Sequence, residues 1–162
     1  MRKLQKGFSL IELLIVVAII LIIAAIAIPN LLRSRMAANE ASAVGSLRTI
    51  NTAEVTFSTT YPTIGFTNLA NLGGAASSCA GSTFASSTAA CLIDDVLATA
   101  AVKSGYNFSA TAGSGAPAVT YISLGVPSVN GQSGQRAFCS DQSGVIRFNA
   151  GGTACTSTDS AL

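Results

Sequence analysis

KGFSLIELLIVVAIILIIAAIAIPN, residues 6–30, decides how the rest of the chain can be organised. From Phe8 to Ile28 there are 21 residues, and only Ser9 and Glu12 are polar. As a helix rising 1.5 Å per residue, the stretch is about 32 Å long, against about 30 Å of bilayer hydrocarbon. It is long enough to cross a membrane. Arg2, Lys3 and Lys6 precede it and favour a cytoplasmic N-terminus, a bias that Arg33 and Arg35 beyond the run weaken.

An acid in such a run needs a reason. At the centre of a membrane helix it costs about 2.5–3.5 kcal/mol, less towards the end, and marks a functional position by default. If the chain is cut after Gly7, Phe8 acquires a free α-amino group one helical turn from Glu12. Such an amine on a neighbouring copy would neutralise the carboxylate where the dielectric is low and pairing is strongest. Two plainer accounts compete. A secretory signal peptide with Ala25-Ile26-Ala27 at its cleavage site has the right basic start, but this apolar run exceeds the usual 7–15 residues and carries an acid in its first turns. A simple anchor with Glu12 near the interface leaves the acid without a role.

The stretch GFSLIELLIVVAIILIIAAIAIP, residues 7–29, resembles the N-terminus of type IV pilins and pseudopilins: a short basic leader ending in Gly, then Phe, then Glu five residues into the mature chain. The resemblance implies that a prepilin peptidase cuts between Gly7 and Phe8 on the cytoplasmic face and methylates the new Phe8 amine. It also implies that Glu12 aids docking onto the last subunit of a growing filament, the helix passing from lipid into the filament core. Many major pilins have a glycine where this chain has Leu21. Melting of the helix before Pro29 is therefore not carried over, although Pro29, lacking an N–H and crowding the preceding turn, remains a helix disturber.

Composition narrows the remaining choices. The 162 residues suit one domain plus one extra element, and 10% are charged where about 25% is usual. Net charge is +2, but without residues 1–7 six basic side chains face seven acidic ones, so binding nucleic acid by charge is not expected. The absence of His removes the commonest general base and a major zinc ligand. An enzyme is not expected, nor a metal site, nor a cofactor.

After Pro29 the pattern becomes one-sided. Leu32, Met36, Ala43, Leu47, Ile50, Phe57 and Tyr61 recur at spacings of three, four or seven, with Arg33, Arg35, Asn39, Arg48 and Asn51 between them. That is an amphipathic helix with a stripe for a packed partner, ended by Pro62. Leu69 and Leu72 predict one short turn closed by Gly73 and Gly74, and residues 73–90 are too small and polar to build a core. CLIDDVLATAAVKSG, residues 91–105, predicts a short helix with Asp94 and Asp95 at its positive end, Lys103 at its negative end and Gly105 beyond. Period-two alternation then predicts four strands in YNFSAT (106–111), AVTYISLGV (118–126), QRAFCS (135–140) and GVIRFN (144–149), with Asp141 turning the last hairpin. The fold class is α+β, a long N-terminal helix packed on a small antiparallel sheet, and the pilin resemblance implies the same. The expected organisation is a cleaved leader at 1–7, a membrane or filament-core helix at 8–29, an amphipathic helix at 30–61 and a head at 62–162.

Four cysteines permit three pairings, and local closure favours Cys79–Cys91 and Cys139–Cys155. A head carried across the membrane favours oxidation, and the lack of C-x-x-C disfavours redox catalysis or a zinc ribbon. Asn107-Phe108-Ser109 fits the N-glycosylation sequon and is treated as a chance match. Taken with the resemblance, these features lead to a structural subunit of a type IV pilus. Its expected partners are further copies in a helical filament, prepilin peptidase, an inner-membrane assembly platform and, before assembly, lipid. The N-terminus would be cytoplasmic and the head periplasmic until the subunit enters an extracellular pilus. A pseudopilin of a type II secretion system is the alternative. Such proteins often carry an acidic calcium loop near the C-terminus, where this chain has NAGGTACTSTDSAL with one acid. A minor pilin with a binding role is the other alternative, but beyond residue 61 only Lys103, Arg136 and Arg147 are basic.

Overall fold

The computed structural model describes residues 8–74, Cys79 and residues 85–162. Residues 1–7, expected as a leader and including Gly7, and residues 75–78 and 80–84 of the small-residue stretch lie outside the described residues. Two compact units divide the chain, Met1–Arg35 and Met36–Leu162. Helix α1, Leu10–Thr60, contributes to both.

In the first unit, α1 is apolar on every side. The large side chains from Phe8 to Leu32 are all at least 46% exposed, Phe8 reaching 79%. A helix apolar all round requires apolar surroundings, lipid or other helices. Among the described residues, α1 is long and apolar enough to cross a membrane. The helix continues through Pro29 without interruption. Leu32, grouped in sequence with the amphipathic stripe, is 53% exposed.

In the second unit the stripe is buried. Ala43, Leu47, Ile50, Ala53 and Phe57 pack with Leu69, Leu72, Leu97, Tyr106, Phe108 and Phe138 in the main core. The outward-facing threonines hydrogen-bond within the helix: Thr49, Thr52 and Thr56 donate to the carbonyls of Gly45, Arg48 and Thr52. Pro62 follows the last turn, and α2, Leu69–Leu72, buries both its leucines.

The sheet has six antiparallel strands in sequence order: β1 Val102–Lys103, β2 Tyr106–Ala112, β3 Tyr121–Pro127, β4 Ala137–Asp141, β5 Arg147–Asn149 and β6 Ser160–Ala161. Because side chains alternate across a sheet, Phe138 joins the main core while Cys139 joins Ala137, Cys155, Leu124 and Val126 in a second cluster. Tyr106 donates its hydroxyl to the Arg136 carbonyl at 2.8 Å. Gly134 lies so close to that ring that a Cβ there would collide with the Tyr106 side chain.

Three sequence expectations are corrected. The helix expected within residues 91–105 is a five-residue π-helical turn, Val96–Ala100, stopped by Ala101 at φ 53°. Lys103 lies in β1, because Ser104 and Gly105 (φ 51° and 73°) form the two-residue turn that pairs Lys103 with Tyr106. Positive φ at both central residues suits the right-handed twist of a hairpin, so Gly105 ends a turn rather than a helix. The four expected strands are six, since the pairs Val102–Lys103 and Ser160–Ala161 close the two edges. Two residues carry too little periodicity to be read as strands. The second and fourth strands also begin late: the Ala118 amide and carbonyl bond instead to Ile64 and Phe66, and Asp141 accepts from the Ser143 amide at 2.8 Å to shape the turn before β5.

Candidate functional site

The first turn of α1 is built around Glu12. The Ser9 carbonyl accepts the amides of Glu12 and Leu13 at 3.1 and 3.3 Å, and the Ser9 amide donates back to Glu12 Oε2 at 2.9 Å. Ser9-x-x-Glu12 is thus a capping arrangement: the carboxylate satisfies an amide that the helix itself leaves unpaired and sits at the positive end of the dipole. Cost and partnership were the sequence-level argument for Glu12. The capping spacing was also present in the sequence and supplies a second role within one chain. Around it, Leu10, Leu13, Leu14, Val17, Ala18 and Leu21 form an exposed apolar strip. Phe8 stands exposed just before the helix.

Two further acids lie on the buried stripe of α1, and sequence reasoning passed over both. Glu40, 8% exposed, accepts from the Gln135 and Arg136 amides at 2.9 and 3.1 Å and from Arg136 Nε and Nη2 at 2.9 and 2.8 Å. Burial alone would raise its pKa, but these donors and the guanidinium charge together hold it below the ordinary value. Asn39 adds a bond to the Ser133 carbonyl at 2.8 Å. Residues 133–136 are therefore clamped to the helix by two adjacent side chains. Arg136 in turn lies 5.4 and 5.5 Å from the ring centroids of Phe138 and Phe148, within cation–π range.

Glu54 is the opposite case. It is fully buried, its Oε2 accepts the Thr67 amide at 3.0 Å, and its Oε1 has no hydrogen-bond partner among the described residues. Desolvation pushes its pKa up to about 7, only partly opposed by the Thr67 bond. The signal for both acids was their spacing. Glu40 falls between Met36 and Ala43, and Glu54 between Ile50 and Phe57, each in step with the apolar stripe.

The cysteines form two bridges, Cys79–Cys91 and Cys139–Cys155. The second ties the chain beyond β5 to β4 from within the second cluster. No group of three or more Cys, Asp or Glu suited to a metal ion occurs among the described residues. Lys103 and Asp94 form an exposed ion pair at 2.9 Å, and Asp94 Oδ1 accepts the Leu97 amide at 3.3 Å.

An apolar helix headed by a capped acid, with Gly7-Phe8 just before it, matches a known pattern. Residues 2–28 match the prokaryotic N-terminal methylation motif. Over this N-terminal segment the chain is similar to type IV pilins. Similar curated proteins include the type IV wide pilus major component PilA4 of Thermus thermophilus, 69% identical over 35 residues that cover 22% of this chain and 27% of that one. The type IV major pilin protein PilA of Myxococcus xanthus is 47% identical over 53 residues, 33% of this chain and 24% of that one. The type IV major fimbrial protein FimA of Dichelobacter nodosus is 54% identical over 52 residues, 30% of this chain and 33% of that one. The chain thus spans about a quarter to a third of the length of the curated relatives it matches. No solved structure matches it significantly.

Proposed function

We propose that the chain is a structural subunit of a type IV pilus. The observation that carries the proposal is the exposed apolar half of α1, with an acid in its first turn, lying in an N-terminal methylation motif. The precursor inserts into the inner membrane with residues 1–7 on the cytoplasmic side and residues 62–162 beyond it. Prepilin peptidase cleaves after Gly7 and methylates the Phe8 amine, and the assembly platform lifts the helix from lipid into a filament of identical copies.

Within that proposal Glu12 acts twice. In the precursor its carboxylate is held by the Ser9 amide. In the filament it accepts the methylated amine of a neighbouring copy, where the low dielectric makes an opposite charge worth most. The joint needs no cofactor, because desolvation of the apolar helices supplies the drive and the ion pair sets the register. Mass spectrometry of sheared surface fibres tests the whole series. The expected mature chain begins with N-methylated Phe8, and the fibres vanish when the gene is deleted. A mature chain beginning at Ile28, or loss of exoprotein secretion with fibres intact, would overturn it.

A further inference from the structure

Glu54 serves none of the assembly steps, yet it is the most deeply buried ionisable group on the head side of α1. It reaches from α1 to the returning segment 61–72 and takes the buried Thr67 amide. Thr67 Oγ1 accepts from Asn71 Nδ2 at 2.8 Å, which ties the same point to α2 and its buried Leu69 and Leu72. Segment 61–72 carries Tyr61 and no charged side chain. From β3, Tyr121 faces the site and donates its hydroxyl to Asn51 Oδ1 at 3.0 Å. Asp141, at the end of β4, acts on Tyr121 as well, and its own carboxylate is engaged by Ser143 and attracted by Arg147. Burial disfavours the negative charge on Glu54, the Thr67 amide alone opposes that, and among the described residues no cation acts on it. One amide is a weak compensation for a desolvated carboxylate whose other oxygen is unpaired.

We propose that Glu54 is a proton-controlled latch: as the neutral acid it holds segment 61–72 against α1, and as the carboxylate it favours release of that segment to water. The latch depends only on the geometry of the head and is independent of the pilus proposal. Its raised pKa, about 7 against an ordinary 4.5, places the response between mildly acidic and neutral conditions. Opening returns the group to water and to its ordinary pKa, so by proton linkage the open fraction rises more than about tenfold between pH 5.5 and 8.5.

Amide exchange of the full chain in detergent micelles, corrected for the intrinsic pH dependence of exchange, tests the latch. Protection of Thr67 and its neighbours in 64–72 should fall more than about tenfold across that range, while Ser109 and Leu124 in the β2–β3 pair change little. In Glu54→Gln the fall should disappear. A flat profile in the parent, an equal fall in the variant, or a parallel loss in β2–β3 would each overturn the proposal. If Glu54→Gln does not fold, the parent still decides. With carbon-13 in its glutamate carboxyls, the Glu54 signal should titrate near neutrality and the protection of 64–72 should follow its midpoint. Titration of Glu54 in the ordinary carboxylate range would overturn the latch.

Discussion

Residues 10–35 and 36–60 belong to one helix, yet they solve opposite problems. The first half exposes Leu, Ile and Val on all sides and keeps its one acid at the very start, where the helix cap can use it. The second half buries one stripe and places Glu40 and Glu54 inside it. The difference shows what decides whether an acid can sit on an apolar face, namely the number and charge of the donors that reach it. Glu40 has four such bonds, two of them from a guanidinium, and is held charged. Glu54 has one and is pushed towards the neutral form.

The strongest challenge to this contrast is truncation in each half. All three tyrosines lie within residues 61–121, so near-ultraviolet dichroism of the full chain in detergent reports the head alone. Phe57→Ala, at a fully buried position, should destabilise the head by about 3–5 kcal/mol, whereas Ile20→Ala should leave its melting unchanged. A matching loss from Ile20→Ala would break the comparison.

Titration sharpens it. Glu54 has a raised folded pKa, so its contribution is complete below about 4.5 and is lost as pH rises through about 7, a span of about 3 kcal/mol at 1.36 kcal/mol per unit. Glu40 has a lowered folded pKa, so its contribution is present above its ordinary 4.5 and is lost as pH falls through the folded value. Chemical denaturation at a series of pH values should therefore show Glu54→Gln flattening the decline above pH 4.5. Glu40→Gln should flatten the acid limb instead. Identical profiles for the two variants would show that donor number does not set the sign.

At neutral pH, Glu40→Gln should also cost about 2–3 kcal/mol in the same measurement, because the charged bonds from Arg136 are lost. At the small end, Lys103→Ala removes an exposed ion pair from a short edge strand and should change stability by less than about 1 kcal/mol.

The legibility of these features followed the length of the pattern behind them. Nineteen apolar residues in a run of 21 and a stripe repeated from Leu32 to Tyr61 left little freedom for α1, and the alternation in β2 and β4 placed Tyr106, Phe108 and Phe138 inward. Where the signal was two residues long, as at Val102–Lys103 and Ser160–Ala161, the pairing came from the partner strand and the local pattern was silent. Ser104-Gly105 ended a run of good helix formers, and its hairpin meaning showed only once Lys103 faced Tyr106. Glu40 and Glu54 were in plain register with the stripe, but their donors, Arg136 and the Thr67 amide, are 96 and 13 residues away. Spacing along one helix does not reveal which distant group completes an acid.

The joint between copies is where the account is most exposed. Fibre yield from Glu12→Ala, measured against the parent at equal levels of processed subunit in the inner membrane, tests it most directly. The expected result is insertion and cleavage as in the parent, with surface fibres reduced at least about tenfold, since about 1.4 kcal/mol at each joint is already a factor of ten in association. Parental fibre yield from the variant would contradict the claim that this carboxylate joins one subunit to the next.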